Sequence, residues 1–144
     1  MPIQVYIDAV PHFWPPPTGA IPVNGWGLFR SAGDQNQEMI SVPAGKSLAL
    51  TSLTLSDNSD PNPTSTVTIQ LETAAPSSGG QLGIVMSQFA HLTLALGTNL
   101  PITFPSPLVL SSPHGEAFVF RGIVVEERVV SSYEINILAV GYIF

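Results

Sequence analysis

Chemistry in this sequence would have to come from its histidines, its carboxylates or its oxygen-rich loops, and each set has the wrong spacing. His12, His91 and His114 fall in separate segments. A metal centre of the cupin kind needs two histidines at H-x-H spacing, then a glutamate and a third histidine. The nearest approach is H-G-E at 114–116, inside a Pro-Gly turn where Gly115 supplies the conformation. Asp57, Asn58, Asp60 and Asn62 offer the hard oxygen ligands that calcium takes. The calcium-loop spacing fails, since Pro61 stands at the fifth position from Asp57 and no glutamate stands at the twelfth. Asx turns account for the same residues without an ion. Glu126 and Glu127 are adjacent, so a strand would point them to opposite faces, where they cannot flank one glycosidic bond. Serines are many, but there is no G-x-S-x-G turn and no cysteine. The sequence predicts no catalytic residue, no metal site and no cofactor.

Binding chemistry is better represented. Trp14, Trp26 and Tyr6 could stack on sugar rings, which makes a carbohydrate-binding module the alternative reading. Packing in a core or an interface is the stronger reading for the two tryptophans, because both settings use their large apolar area.

The composition points toward contact surfaces. Asp, Glu, Lys and Arg make up 10% of the 144 residues, against about 25% in an ordinary soluble domain. A surface so poor in charge favours association, so the chain is expected to oligomerise. Net charge is −6, and the four cations Arg30, Lys46, Arg121 and Arg128 are scattered. No basic patch for nucleic acid can be assembled from them. Without cysteine there is no disulfide framework, which fits folding in a reducing compartment. The N-terminus lacks the basic and apolar regions of a secretory signal. The longest apolar run, Ile137 to Phe144, is too short to cross a bilayer, so no membrane partner is expected.

These residues must be positioned by strands. Ile3 to Ala9 alternates as a first short strand, and P-H-F-W-P-P-P-T-G follows at 11–19. Prolines 15–17 cannot lie in a central strand, so Phe13, Trp14, Pro15, Pro16 and Pro17 form an extended arm. Such an arm could reach a neighbouring subunit or close one end of its own core. Ile21 to Phe29, with G-W-G at 25–27, is expected as a strand with a close backbone approach. A polar loop is expected at Ser31 to Glu38, an extended stretch at Met39 to Val42 and a turn at Pro43 to Lys46. In Lys46 to Ser56 the leucines fall at 48, 50, 53 and 55. The odd step from 50 to 53 predicts a β-bulge near Thr51 and Ser52.

Asp57 to Ser65 is a loop by its turn residues. Thr66 to Glu72 alternates, with Val67, Ile69 and Leu71 inward and Thr, Gln and Glu outward. Pro76 to Gly80 is a turn. Ile84 to His91 fits one helical turn as well as a strand, while Leu92, Leu94 and Leu96 alternate as a strand. Shorter strands are expected at Leu100 to Phe104, Leu108 to Leu110 and Ala117 to Arg121, and one more strand or hairpin at Arg121 to Val130. Eight to ten short strands without a long helix predict an all-β antiparallel sandwich. It forms a single domain over 1–144, with 1–35 as a Pro-rich N-terminal strand and arm region.

From Val42 to Phe144 the order of features resembles the jelly-roll β-sandwiches of phage and viral virion proteins. The matching pieces are V-P-A-G-K-S-L-A-L-T-S-L-T-L-S, T-V-T-I-Q-L, F-P-S-P-L-V-L-S-S-P-H-G-E-A-F-V-F and the final strand ending in G-Y-I-F. The third piece reads as a strand, a turn through Gly115 and a returning strand. The resemblance implies a non-enzymatic capsid decoration (cement) protein, commonly trimeric, or failing that a fibre or spike domain. It implies a place on the virion surface and the major capsid protein as partner.

Ser131 to Phe144 closes the chain. Tyr133, Ile135 and Ile137 alternate with Glu134 and Asn136, and beyond them both faces turn apolar. Such a strand must be covered on both sides. Leu138, Val140, Tyr142 and Phe144 are therefore expected to form a subunit contact.

Overall fold

The computed structural model describes residues 16–31, 33, 35–57, 65–129 and 132–144. Eight strands occupy them: β1 (Ile21–Arg30), β2 (Asn36–Val42), β3 (Leu48–Asp57), β4 (Thr66–Ala74), β5 (Val85–Ala95), β6 (Asn99–Leu110), β7 (Phe118–Arg128) and β8 (Glu134–Ile143). They form two four-stranded antiparallel sheets, one ordered β1-β8-β3-β6 and the other β2-β7-β4-β5. First pairs with last, second with seventh, third with sixth and fourth with fifth. That rolled-up order is a jelly roll.

Alternation builds the core between the sheets. Leu48, Leu50, Leu53 and Leu55 of β3 and Ile135 and Ile137 of β8 face Val67, Ile69 and Leu71 of β4 and Phe118 and Phe120 of β7, all of them buried. The phase change in β3 is a bulge, where the register with both β8 and β6 slips between Leu50 and Ser52. Thr51 turns its hydroxyl to the Val140 carbonyl, 3.1 Å away. All four leucines thus stay inward despite the odd, three-residue step from Leu50 to Leu53.

Two glycines permit backbones to touch. A Cβ on Gly25 would sit 1.9 Å from the carbonyl oxygen of Met39, and one on Gly141 would sit 2.1 Å from that of Ala49. The close approach expected for the G-W-G segment is therefore a contact of β1 with β2.

One open choice is settled and three expectations are corrected. Val85 to His91 is strand, not a helical turn, because its backbone pairs with β4 along nearly its whole length. Asn36 to Glu38 opens β2 instead of ending a loop, drawn into pairing with Ile123, Gly122 and Arg121. Leu100–Phe104 and Leu108–Leu110 are one strand, β6. Its register jumps from Thr103 to Leu108 opposite Thr51, and Pro105 and Pro107 lie in that bulge. An edge strand tolerates prolines there because one row of its N–H groups has no ladder to serve. Finally, β6 and β7 do not return on each other as a hairpin. They lie in opposite sheets, and the turn at Gly115 (φ 76°) carries the chain between them.

Candidate functional site

Among the described residues, the places singled out for chemistry are dispersed. His91 sits on β5, its Nε2 2.9 Å from the Gln70 side-chain oxygen. His114 lies in an exposed turn, where its backbone N–H donates to Glu116 at 2.9 Å and helps hold that carboxyl below its usual range, after the larger effect of Glu116's own backbone hydrogen bond. No group of three His, Cys, Asp or Glu that could hold a metal ion occurs among the described residues. Asp57 ends β3 and accepts the N–H of Gly97. Its proposed companions Asn58, Asp60 and Asn62 lie outside the described residues, as do His12, the strand at Ile3 to Ala9, Phe13, Trp14 and Pro15. Pro16 and Pro17 are exposed, and the Pro17 carbonyl accepts the Ala20 N–H at 3.0 Å.

Glu126 and Glu127 diverge as expected. Glu126 pairs with Arg128 at 3.0 Å in an exposed bridge. Glu127 accepts from Gln35 at 2.7 Å and from the Tyr133 hydroxyl. Burial, and then the neighbouring Glu127 carboxylate, push the Tyr133 phenol above its ordinary range.

One polar site escaped the sequence reading. Glu72 was expected to face water, and it does point away from the core, yet it is fully buried. Its carboxylate takes the Arg121 Nε at 2.5 Å and the Gln70 amide at 2.7 Å, while Arg121 Nη1 has no hydrogen-bond partner. Glu38, Arg121 and Glu72 form one row across β2, β7 and β4. Ser77 lies just beyond β4, yet its N–H (3.2 Å) and hydroxyl both donate to Glu38. The β4–β5 loop therefore crosses the outer face of β7. A charged pair on an outer face is buried where the loop that follows β4, tied down to Glu38, crosses it.

The terminal strand β8 is central, paired with β1 on one side and β3 on the other. Its even-numbered residues make the outer face. Leu138 and Val140 are half-buried, and Phe144 packs on Tyr142 with ring centroids 5.8 Å apart. Tyr142 is only 5% exposed, and burial pushes its phenol upward. Trp26 on β1 pairs with Leu138 and is 62% exposed. The only charges that the four strands place on this face are Arg30 and Glu134, paired at 3.3 Å at one end.

The edge of the sandwich between β5 and β6 is apolar as well. A cavity of about 270 Å³ opens there. Phe89, Ala90 and Leu92 of β5 and Ile102, Phe104 and Leu108 of β6 line it, with Leu53 and Leu71 at its floor. Phe89 stacks on Phe120, centroids 5.9 Å apart. From Thr73 to Gly115 the sequence contains no Asp, Glu, Lys or Arg. That signal was present in the sequence and marks this whole side, loop and both edge strands together.

No family model matches the chain, and no curated protein does. The solved structures to which it is similar include phage capsids. One is the acidic stable capsid structure of Helicobacter pylori bacteriophage KHP30, with 14% identity, a TM-score of 0.42 and coverage of 86% of this chain and 88% of that one. Another is the Cyanophage Pam1 capsid asymmetric unit, with 14% identity, a TM-score of 0.43 and coverage of 89% of each chain.

Proposed function

We propose that the protein is a non-enzymatic structural subunit of a virion, a decoration or cement protein that self-associates, as a trimer, and docks on the major capsid protein. The observation that carries this reading is the outer face of the β1-β8-β3-β6 sheet. Trp26, Leu138, Val140 and Phe144 form an apolar surface, and the only charges that its four strands place on that face are one mutually paired Arg and Glu. A jelly roll presenting such a face is suited to pack against protein, because burying apolar area drives association. The virion-type pattern of strands and turns from Val42 onward supports the same reading, and so does a chain with few charges to repel a neighbour. The Pro-rich segment at Phe13 to Pro17 is the second contact in this reading, since prolines lose little entropy on docking.

Native mass measurement at micromolar concentration tests it. The expected result is an oligomer that Val140→Asp dissociates while the circular dichroism of the sandwich persists. A clean wild-type monomer would overturn the self-association. Tyr142 is too buried to serve as the probe, because a charge there would disturb the fold itself. The exposed Trp26 also favours the glycan alternative, since an aromatic platform can stack on a sugar ring. A tryptophan-fluorescence titration with oligosaccharides that leaves Trp26 unmoved would remove it.

A further inference from the structure

The β4–β5 loop ends in an exposed apolar tip. Leu82 is 50% and Ile84 83% exposed, and Val85 follows at the start of β5. The tip is held firmly: Ala75 N–H donates to the Ile84 carbonyl at 2.9 Å, Ser78 and Gln81 bridge each other, and Ser77 is tied to Glu38. An ordered loop that keeps an isoleucine in water is a knob without a socket. On the same chain, the cavity between β5 and β6 is a socket without a knob. At about 270 Å³ it has room for two aliphatic side chains, and its rim residues Phe89, Ala90, Leu92 and Phe104 are half-buried.

The two features cannot meet within one copy. Ile84 and Ala90 are separated by about 20 Å along β5, at about 3.3 Å per residue. Both belong to the stretch from Thr73 to Gly115 that lacks every charged side chain, so neither surface repels the other. The mouth of the socket also includes the least protected of the described edge strands. Among the described edge strands, β1 carries Pro22 and Arg30, β2 carries Glu38, and β6 carries Pro101, Pro105 and Pro107, while β5 has neither proline nor Asp, Glu, Lys or Arg. Natural sheets blunt free edges with such residues, and an edge left without them is one that an assembly covers.

We infer that Leu82 and Ile84 of one copy seat in the β5–β6 cavity of a second copy, a head-to-tail contact that closes into a ring. The inference rests on the self-association proposed above and adds where one contact lies. Knob and socket are different patches, so the interface is heterologous and each subunit gives one of each.

The absence of cysteine makes the test specific. The full chain is made as Ile84→Cys, as Ala90→Cys and as the double variant, and each is oxidised at a concentration where native mass shows the oligomer. A disulfide needs Cα atoms within about 7 Å, which the distance along β5 forbids inside one copy. The double variant is expected to give a ladder of cross-linked species ending at the mass of the native ring. A mixture of the two single variants is expected to give dimers only, and each single variant alone none. Ile84→Asp, at an exposed position where folding is unaffected, is expected to weaken association by about tenfold or more. An oligomeric wild type whose double variant forms no cross-link would overturn the head-to-tail contact and leave the proposed function standing. Dimers of Ile84→Cys alone would overturn it in favour of a two-fold contact. A monomeric wild type would overturn both.

Discussion

Replacing Arg121 with methionine isolates the one charged pair that, among the described residues, the fold removes from water. Glu72 is fully buried and Arg121 is 2% exposed, with Nε and carboxylate 2.5 Å apart. Methionine roughly preserves the length and apolar stem of the arginine but leaves the Glu72 carboxylate with only the Gln70 amide. An uncompensated buried charge of this kind costs about 3–5 kcal/mol. At about 2–4 °C per kcal/mol for a chain of this size, the midpoint of thermal unfolding should fall by roughly 10 °C. Arg128→Met is the internal control, because its bridge to Glu126 is exposed and worth less than about 1 kcal/mol. The double variant Glu72→Leu with Arg121→Met should recover most of the loss, since apolar replacement of a buried pair is often near neutral. Arg121 Nη1 makes no hydrogen bond, which lowers the net worth of the pair further. Urea unfolding of wild type, Arg121→Met, Glu72→Leu, their double variant and the Arg128→Met control at one protomer concentration, compared where their m-values agree, measures the coupling. Two results would refute the reasoning: Arg121→Met costing no more than Arg128→Met, or the double variant costing the sum of its singles.

Three other perturbations follow from the same geometry. Deleting Thr51 removes the extra residue of the bulge and leaves Leu48, Leu50, Leu53 and Leu55 in plain alternation, in unbroken register with β8, so the chain should stay folded and lose only about 0.5–1.5 kcal/mol in urea unfolding, the worth of the Thr51–Val140 hydrogen bond. Gly25→Ala drives a Cβ to 1.9 Å from the Met39 carbonyl and should cost about 1–3 kcal/mol or more in urea unfolding. Because burial and Glu127 raise the Tyr133 phenol in the folded state, its contribution is complete below the ordinary value of 10.0 and is lost as pH rises past it. Unfolding followed from pH 8 to 11 should therefore show a steeper alkaline loss for wild type than for Tyr133→Phe, which itself costs about 1–2 kcal/mol at neutral pH.

The sequence by itself determined which residues turn inward. A strand alternates with a period of two, so the faces of β3, β4 and β8 are properties of neighbouring residues, and even the bulge at Thr51 shows as a slip in phase. What local pattern does not hold is which strand lies beside which. Pro105 and Pro107 looked like a break because proline ends a central strand, and only the sheet order reveals that β6 is an edge. Glu72 looked solvated because it alternates with Leu71, yet it is buried where the loop tied down to Glu38 crosses it. Likewise Phe89, Leu92, Ile102 and Phe104 are ordinary strand residues in sequence. They line a cavity because β5 and β6 end up as facing edges of opposite sheets. The terminal stretch shows both sides of the division. Its two apolar faces are written in its residues, but its place between β1 and β3, which buries Tyr142 and leaves Val140 half open, comes from pairings with strands near the start of the chain.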